Sequence, residues 1–410
     1  MYPELNPLNE PQFALNETDI KSPAAEVKAT RLLPGEPVRH FFPAATNYAY
    51  LNSAAVGPLS TVAIEAVNRQ LRDVSEHGSE HYTQWLSVKS SARSLLASAM
   101  SVKPENLAFL RNTSDAFSVI ANGIDWVKGD NIVSFEGEFP ANYYPWRGVA
   151  DRYGVRLKLA KSTDGCFDHE ELVGLIDSRT RLVSVSAVQF SSGFRADLKF
   201  IADAAHSVEA LFGVDLIQSL GARAYDLESL GVDFAAGGAH KWLCGPEGCG
   251  YLYVSDDCRK RIFPVLTGWI SVAEPWDFED RLQPFRDNAL ALESGTACSS
   301  LFYGLEASLK LLNQIGFKEI EAYLEELTDF FLSQLEDTDF QVVANTDKKY
   351  RSQIVALKHR EISSSDAIAS MLRKKGIIIS ARSGYLRVAP HLFNTKDDIC
   401  RLVEALKEIQ

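Results

Sequence analysis

No stretch of this chain is apolar over the length of a membrane span, and its first residues, Met1-Tyr2-Pro3-Glu4-Leu5-Asn6-Pro7, lack the basic and apolar regions of a leader. A cytoplasmic protein that neither spans nor binds a membrane is expected. Basic runs are missing too: 42 Lys and Arg stand against 54 Asp and Glu, a net charge of −12. No basic patch interleaved with aromatics is present, which argues against nucleic acid as a partner. An anionic ligand must therefore be held by local donors. Cysteine is scarce, and the six present (Cys166, Cys244, Cys249, Cys258, Cys298, Cys400) form no Cys-x-x-Cys and have no histidine partners at ligand spacing. Reduced thiols and no metal site are the expectation.

What the chain does have is 46% hydrophobic and 23% charged residues over 410 positions, enough for a large core and more than one lobe. From about residue 60, helical periodicity alternates with short apolar runs at 131–135, 155–160, 181–188, 212–215 and 250–254. This predicts an α/β fold whose large domain, residues 61–290, carries a mainly parallel sheet flanked by helices. Ligands then sit beyond the carboxyl ends of the strands. After about residue 290 the pattern changes to long helices over 301–315 and 318–335, strand-like 341–344 and 353–357, and a terminal helix from Thr395. A smaller α+β domain made of 41–60 and 291–410 is expected. Residues 1–40, rich in proline and poor in periodic apolar positions, read as an N-terminal extension lying over the surface.

Chemistry is concentrated in a few places. His240-Lys241 lies in a small-residue loop spanning Asp233 to Pro246, between two short apolar runs. A lysine shielded there is held neutral and nucleophilic enough to form a Schiff base with an aldehyde cofactor. Upstream, the apolar run Leu211-Phe212-Gly213-Val214 ends in Asp215. An acid at a strand end followed by a loop lysine suits pyridoxal 5'-phosphate, whose ring nitrogen needs a carboxylate partner. Asn112-Thr113-Ser114 opens an apolar-periodic helix and offers N–H and hydroxyl donors to a phosphate, although an ordinary helix cap gives the same pattern. Phe139 follows a strand and presents a ring either to a flat cofactor or to the core. Arg387, alone in an apolar strand-like segment, requires an anion, which an internal salt bridge or a substrate carboxylate would supply equally.

These stretches, with Tyr50-Leu51-Asn52-Ser53-Ala54-Ala55, Val214-Asp215-Leu216-Ile217-Gln218, Glu293-Ser294-Gly295-Thr296 and Phe393-Asn394-Thr395, resemble the class V aminotransferase family over nearly all of the chain after residue 48. That group holds cysteine desulfurases, selenocysteine lyases, kynureninases and isopenicillin-N epimerases. The resemblance implies the type I pyridoxal-phosphate fold, with a seven-stranded, mainly parallel sheet in the large domain and a smaller C-terminal α+β domain. It implies that Lys241 carries the cofactor and moves the proton at the substrate α-carbon, and that Asp215 keeps the ring nitrogen protonated. Gln218 would lie by the ring hydroxyl, and Phe139 would take the place of the stacking aromatic. Thr113, Ser114 and His240 resemble phosphate-cup residues, as does Trp269 in Thr267-Gly268-Trp269. Thr296 resembles the phosphate ligand donated across a homodimer interface. Arg387 would bind the substrate α-carboxylate with Asn52 near it.

Departures from the family pattern shape the functional expectation. Gly238 stands where desulfurases place a phosphate-binding serine, and Phe190 stands about where they have an asparagine. The loop that carries their nucleophilic cysteine reads Ile378-Ile379-Ser380-Ala381-Arg382-Ser383-Gly384 here. The expectation is a homodimeric enzyme acting on an amino acid, a desulfurase-like C–S lyase that lacks the nucleophilic cysteine. Transamination, kynureninase-like hydrolysis and epimerisation are the alternatives within the family. A non-catalytic binding module on the same fold is the alternative outside it.

Overall fold

The structure is a computed structural model that describes residues 32–344 and 346–409, so most of the expected N-terminal extension, residues 1–31, lies outside the described residues. The strands are β1 (Ala49–Tyr50), β2 (Leu107–Leu110), β3 (Asn131–Phe135), β4 (Arg156–Ala160), β5 (Thr180–Ser186), β6 (Leu211–Asp215), β7 (Phe234–Gly238), β8 (Gly250–Val254), β9 (Phe340–Val342), β10 (Val355–His359), β11 (Ile377–Ile378), β12 (Ser380–Arg382) and β13 (Tyr385–Val388). Seven of them form one sheet in the order β2-β8-β7-β6-β5-β3-β4. The pairs from β4 through β7 are parallel, and β8 runs antiparallel to both β7 and β2. Alternate residues serve opposite faces. Val133, Val183 and Phe212 meet helices Tyr82–Met100, Leu198–His206 and Ser299–Ile315, while Ile132, Leu182 and Leu211 meet helices Thr113–Gly123 and Tyr144–Tyr153. A sheet covered on both faces explains why its central strands read as continuous apolar runs.

Strand β7 differs from the sequence expectation, which took Phe234 to Gly238 into the lysine loop. The run lacks β-branched residues for a steric reason: a Cβ on Gly237 would overlap the Tyr251 ring of β8. Gly and Ala are what fit under that ring, and they carry no strand signal.

Strands β12, β13, β10 and β9 make a separate antiparallel sheet. Val355, Leu357, Ile379, Leu386 and Val388 turn one face of it, with Ile377, toward helices Phe317–Ser333, Ser365–Lys374 and Lys396–Lys407. The segment β1 joins this body by parallel pairing of Ala49 with Ile377, and Asn52 bridges to Ala389. Helix Ser299–Ile315 instead buries Leu305, Leu309 and Leu312 in the large core, so the change of pattern near residue 290 precedes the small core. The last residues of the expected extension are also not an extended arm. Glu36–Arg39 is a short helix with Val38 buried, and Arg39 pairs with Asp398 at 2.6 Å. Among the described residues no helix is long and apolar enough to cross a membrane.

Candidate active site

Asp215 closes β6 and is almost fully buried, paired in register with Ser186 of β5 and Ala236 of β7. Its Oδ1 accepts the N–H of Ile217 at 2.8 Å, while Oδ2 is buried without a partner. Burial raises its pKa, with the charge of Glu138 adding to the rise and Lys241 opposing it. Lys241 follows β7 in a tight loop. Burial lowers its ammonium pKa, and the guanidinium charges of Arg387 and Arg382 add to that against the pull of Asp215. The loop is clamped on several sides: Cys244 N donates to Lys241 O at 3.1 Å, His391 Nε2 donates to Trp242 O at 2.8 Å, and Gly57 N donates to His240 O at 2.8 Å. Gly57 lies so close that a Cβ there would overlap the Lys241 carbonyl.

The lysine Nζ lies 5.6 Å from the centre of the Phe139 ring, and Phe139 meets Phe190 edge-on at 5.1 Å. The Phe190 carbonyl accepts from Arg387 Nη1 at 2.7 Å. Arg387 Nε, by contrast, is buried with no partner, and no carboxylate pairs with this guanidinium among the described residues. An internal salt bridge is therefore not the reason for this arginine. Burial, with the charge of Arg382, pushes its pKa down to about 10. Asn52, bridged to Ala389, has its Oδ1 buried and unpartnered nearby.

Gln218 is buried, and two of its amide bonds are made within the protein. Nε2 donates to Ala54 O at 3.0 Å, and Oε1 accepts from Trp242 Nε1 at 3.0 Å. One amide hydrogen is left for a ligand. Thr113, buried, and Ser114, exposed, begin their helix after Asn112, whose side chain caps Asp115 N at 2.9 Å. Leu110 of β2, Gly250 of β8 and Gly238 of β7 lie in register, so this helix start and His240 follow the ends of the two strands that flank β8. Burial lowers the His240 pKa. Gly295 is close to the Trp269 indole, Trp269 meets Trp276 at 5.2 Å, and Thr296 is exposed. No hydrogen bond or ring contact joins Trp269 or Thr296 to Lys241 among the described residues.

Glu138 was missed by sequence reasoning as a functional residue, although it stands beside Phe139. It is buried and accepts from Ser186 N and Ser186 Oγ, each at 2.6 Å, and from Gln189 Nε2 at 3.3 Å. Those bonds fasten the Phe139 turn to β5 next to Asp215, a relation across 48 residues that no local pattern carries. One group of metal-capable side chains also escaped the sequence reading: Asp73, His77 and His81 place their ligand atoms within 4.8 Å of one another. Asp73 spends its carboxylate on these two imidazoles and on Trp85 Nε1, which ties helix Thr61–His77 to helix Tyr82–Met100.

Among the thiols, burial holds Cys244, Cys249 and Cys258 well above the usual range. Cys298 is exposed and Cys400 is half-buried on the terminal helix. Cys166 is nearer the site: it is two residues from Asp164, whose Oδ1 accepts from Tyr385 Oη at 2.9 Å.

A buried acid with a free oxygen, a lysine of lowered pKa beside an aromatic ring, and a helix start and a histidine at the ends of the strands flanking β8 fit the ring nitrogen, aldehyde and phosphate of pyridoxal 5'-phosphate. The class-V aminotransferase family model matches residues 49–401. A probable cysteine desulfurase of Methanothermobacter thermautotrophicus is 27% identical over 395 residues, covering 91% of this chain and 98% of the relative. An uncharacterized aminotransferase of Bacillus subtilis is 25% identical, covering 90% of this chain and 97% of that protein. A solved complex of a cystine C–S lyase with its product, cysteine persulfide, superposes with a TM-score of 0.82 at 24% identity, over 90% of this chain and 99% of that one.

Proposed function

Since the chain belongs to the class-V aminotransferase family and is a pyridoxal-phosphate-dependent enzyme, we propose that it is a cytoplasmic, homodimeric C–S lyase acting on an amino acid without a protein persulfide. When bound, the cofactor supplies an electron sink for the pair released as the substrate α-proton leaves. The chain's residues do the rest. Lys241 holds the cofactor and then carries the proton at the α-carbon, a task its lowered pKa suits. Asp215 offers Oδ2 to the ring N–H, and Thr113, Ser114, His240 and Trp269 offer donors to the phosphate, with Thr296 doing so from the second subunit. Gln218 gives its remaining N–H to the ring hydroxyl. Phe139 and Phe190 exclude water on one side, and Arg387 with Asn52 orients the α-carboxylate.

The observation that carries the lyase reading is the β12–β13 hairpin beside Arg387, where Ser380 to Gly384 contain no thiol. A serine hydroxyl is too weak a nucleophile to accept sulfur as a thiolate does. Sulfur then leaves the substrate directly, and the released enamine takes up water to give pyruvate and ammonia. One observation favours a second reading: Cys166 is two residues from Asp164, which accepts the Tyr385 hydroxyl of that hairpin. In that case the thiol takes the sulfur and alanine is the product. Turnover with cysteine and cystine, following radiolabelled sulfur in wild type and in Cys166→Ala, Cys298→Ala and Cys400→Ala, separates the two. Pyruvate from all four proteins is expected, with sulfide released from cysteine and cysteine persulfide from cystine. Label retained on one cysteine, with alanine formed and activity lost in its variant, refutes the proposal.

A further inference from the structure

Strands β12 and β13 set a second cation facing the same side as Arg387. Ser380 pairs with Arg387 and Arg382 with Tyr385, and residues two apart on a strand share a face. Ile379, Leu386 and Val388 occupy the other face, inside the small core. Ser380, Arg382, Tyr385 and Arg387 therefore look together toward Lys241. The turn between them, Ser383-Gly384, has positive φ at both positions (51° and 84°), the geometry of a tight two-residue hairpin, which keeps this register short and stiff.

Arg382 is exposed, and among the described residues its hydrogen bond is local, from Nη1 to the carbonyl of its neighbour Ala381 at 2.8 Å. No carboxylate pairs with it among the described residues. Asp164, the acid that reaches the hairpin, is taken by the Tyr385 hydroxyl. Ser380 Oγ, between the two arginines on the shared face, is buried and unpartnered. The charge of Arg382 is felt at both Lys241 and Arg387. Two cations and an unsatisfied hydroxyl thus converge where one α-carboxylate accounts for only one cation.

We propose that Arg382 binds the side chain of the substrate, so that the enzyme selects amino acids whose side chain ends in an anion such as a carboxylate, sulfinate or sulfonate. Arg382 and Arg387 lie roughly 7 Å apart along the hairpin, a spacing from which two long side chains hold both ends of a short diacid. Ser380 Oγ donates to the nearer anion. This deepens the proposed function and rests on Arg387 holding the α-carboxylate. Because Arg382 stands at the mouth of the site, solvent screens it, and its preference is about tenfold rather than the larger factor of a buried pair.

The test uses holoenzyme with L-aspartate and L-asparagine, their affinities read by calorimetry and by the change in cofactor absorbance. Turnover is compared in parallel on S-carboxymethyl-cysteine and its amide. Wild type binds aspartate about tenfold tighter than asparagine. That ratio falls toward one in Arg382→Gln and recovers in part in Arg382→Lys. A ratio near one in wild type, or a ratio kept in Arg382→Gln, overturns the proposal. If the ratio behaves as expected while neither cysteine derivative releases its sulfur, the C–S lyase reading fails and the anion subsite stands.

Discussion

Arg387 is the residue at which stability and function are expected to oppose each other. Burial and the charge of Arg382 take its pKa from 12.5 to about 10. At about 1.4 kcal/mol per factor of ten, the buried ion is roughly 3 kcal/mol less favourable than a solvated one. The bond to the Phe190 carbonyl, at 2.7 Å, offsets about 1 to 2 kcal/mol. Replacing Arg387 with Met, which fills similar volume without charge, should therefore stabilise the substrate-free holoenzyme by about 1 to 2 kcal/mol. For a chain of this size that corresponds to a Tm increase of roughly 1 to 3 °C. The same change should remove about 2 to 5 kcal/mol of carboxylate binding. The assay is thermal unfolding of wild type and Arg387→Met with and without L-alanine, and with alaninamide as control. Wild type gains Tm with alanine by mass action, whereas the variant starts higher and gains nothing. Arg387→Lys keeps a charge but loses the fork, and should show a reduced gain. A variant that is less stable without ligand, or that still gains Tm with alanine, refutes the reasoning.

Borohydride reduction of the holoenzyme followed by peptide mapping should find the pyridoxyl group on Lys241, and a label on another lysine would remove the assignment. Asp215→Asn should retain cofactor but lose turnover by about a hundredfold or more, because Oδ2 no longer holds the ring N–H as a charged partner; near wild-type rates contradict this. Mixing Lys241→Ala chains with Thr296→Ala chains should restore partial activity if the site is shared between two subunits, and a fully active monomer in sedimentation excludes it. Glu293 accepts from Phe109 N at 2.8 Å and pairs with Arg93 at 2.7 Å and with Lys89. Burial alone would raise its pKa, but the two cations outweigh it and pull it down to about 2. Lys89 is held below its ordinary value because burial outweighs its one anion. Glu293→Gln should cost about 3 to 5 kcal/mol in urea unfolding at neutral pH. A depressed acid contributes fully above its unfolded pKa of 4.5 and loses that contribution as pH falls toward 2. The gap between variant and wild type should therefore shrink by about pH 3, and a gap independent of pH would refute the pairing.

Asp215 and Lys241 were legible because an apolar run ending in an acid and a lysine among small residues are local patterns. Arg387 was legible as an anomaly, one cation in an apolar strand, but its lack of an internal acid is a fact of three dimensions. Strand β7 was hidden because the rings of the next strand occupy the space its own side chains would need. Glu138 and Cys166 escaped for a related reason: their relevance comes from Ser186 and Tyr385, partners far along the chain. The bonds that Gln218 makes to Ala54 and Trp242 likewise depend on two loops meeting. Local chemistry could be read from the sequence, whereas the sharing of bonds between distant segments could not.

Gly57 carries a consequence for anyone who would dissect this enzyme. It precedes the large sheet in the chain and follows the segment paired with β11, yet its N–H supports the backbone of His240, next to Lys241. A fragment cut at residue 61 would keep the sheet, Asp215 and Lys241 but lose the backstop that holds the lysine loop in place. The catalytic half is therefore not a transplantable module. Chimeras that exchange the second half for a new specificity must carry residues 49–57 with it, and a protease nick in that short stretch would slacken the loop without touching Lys241 itself.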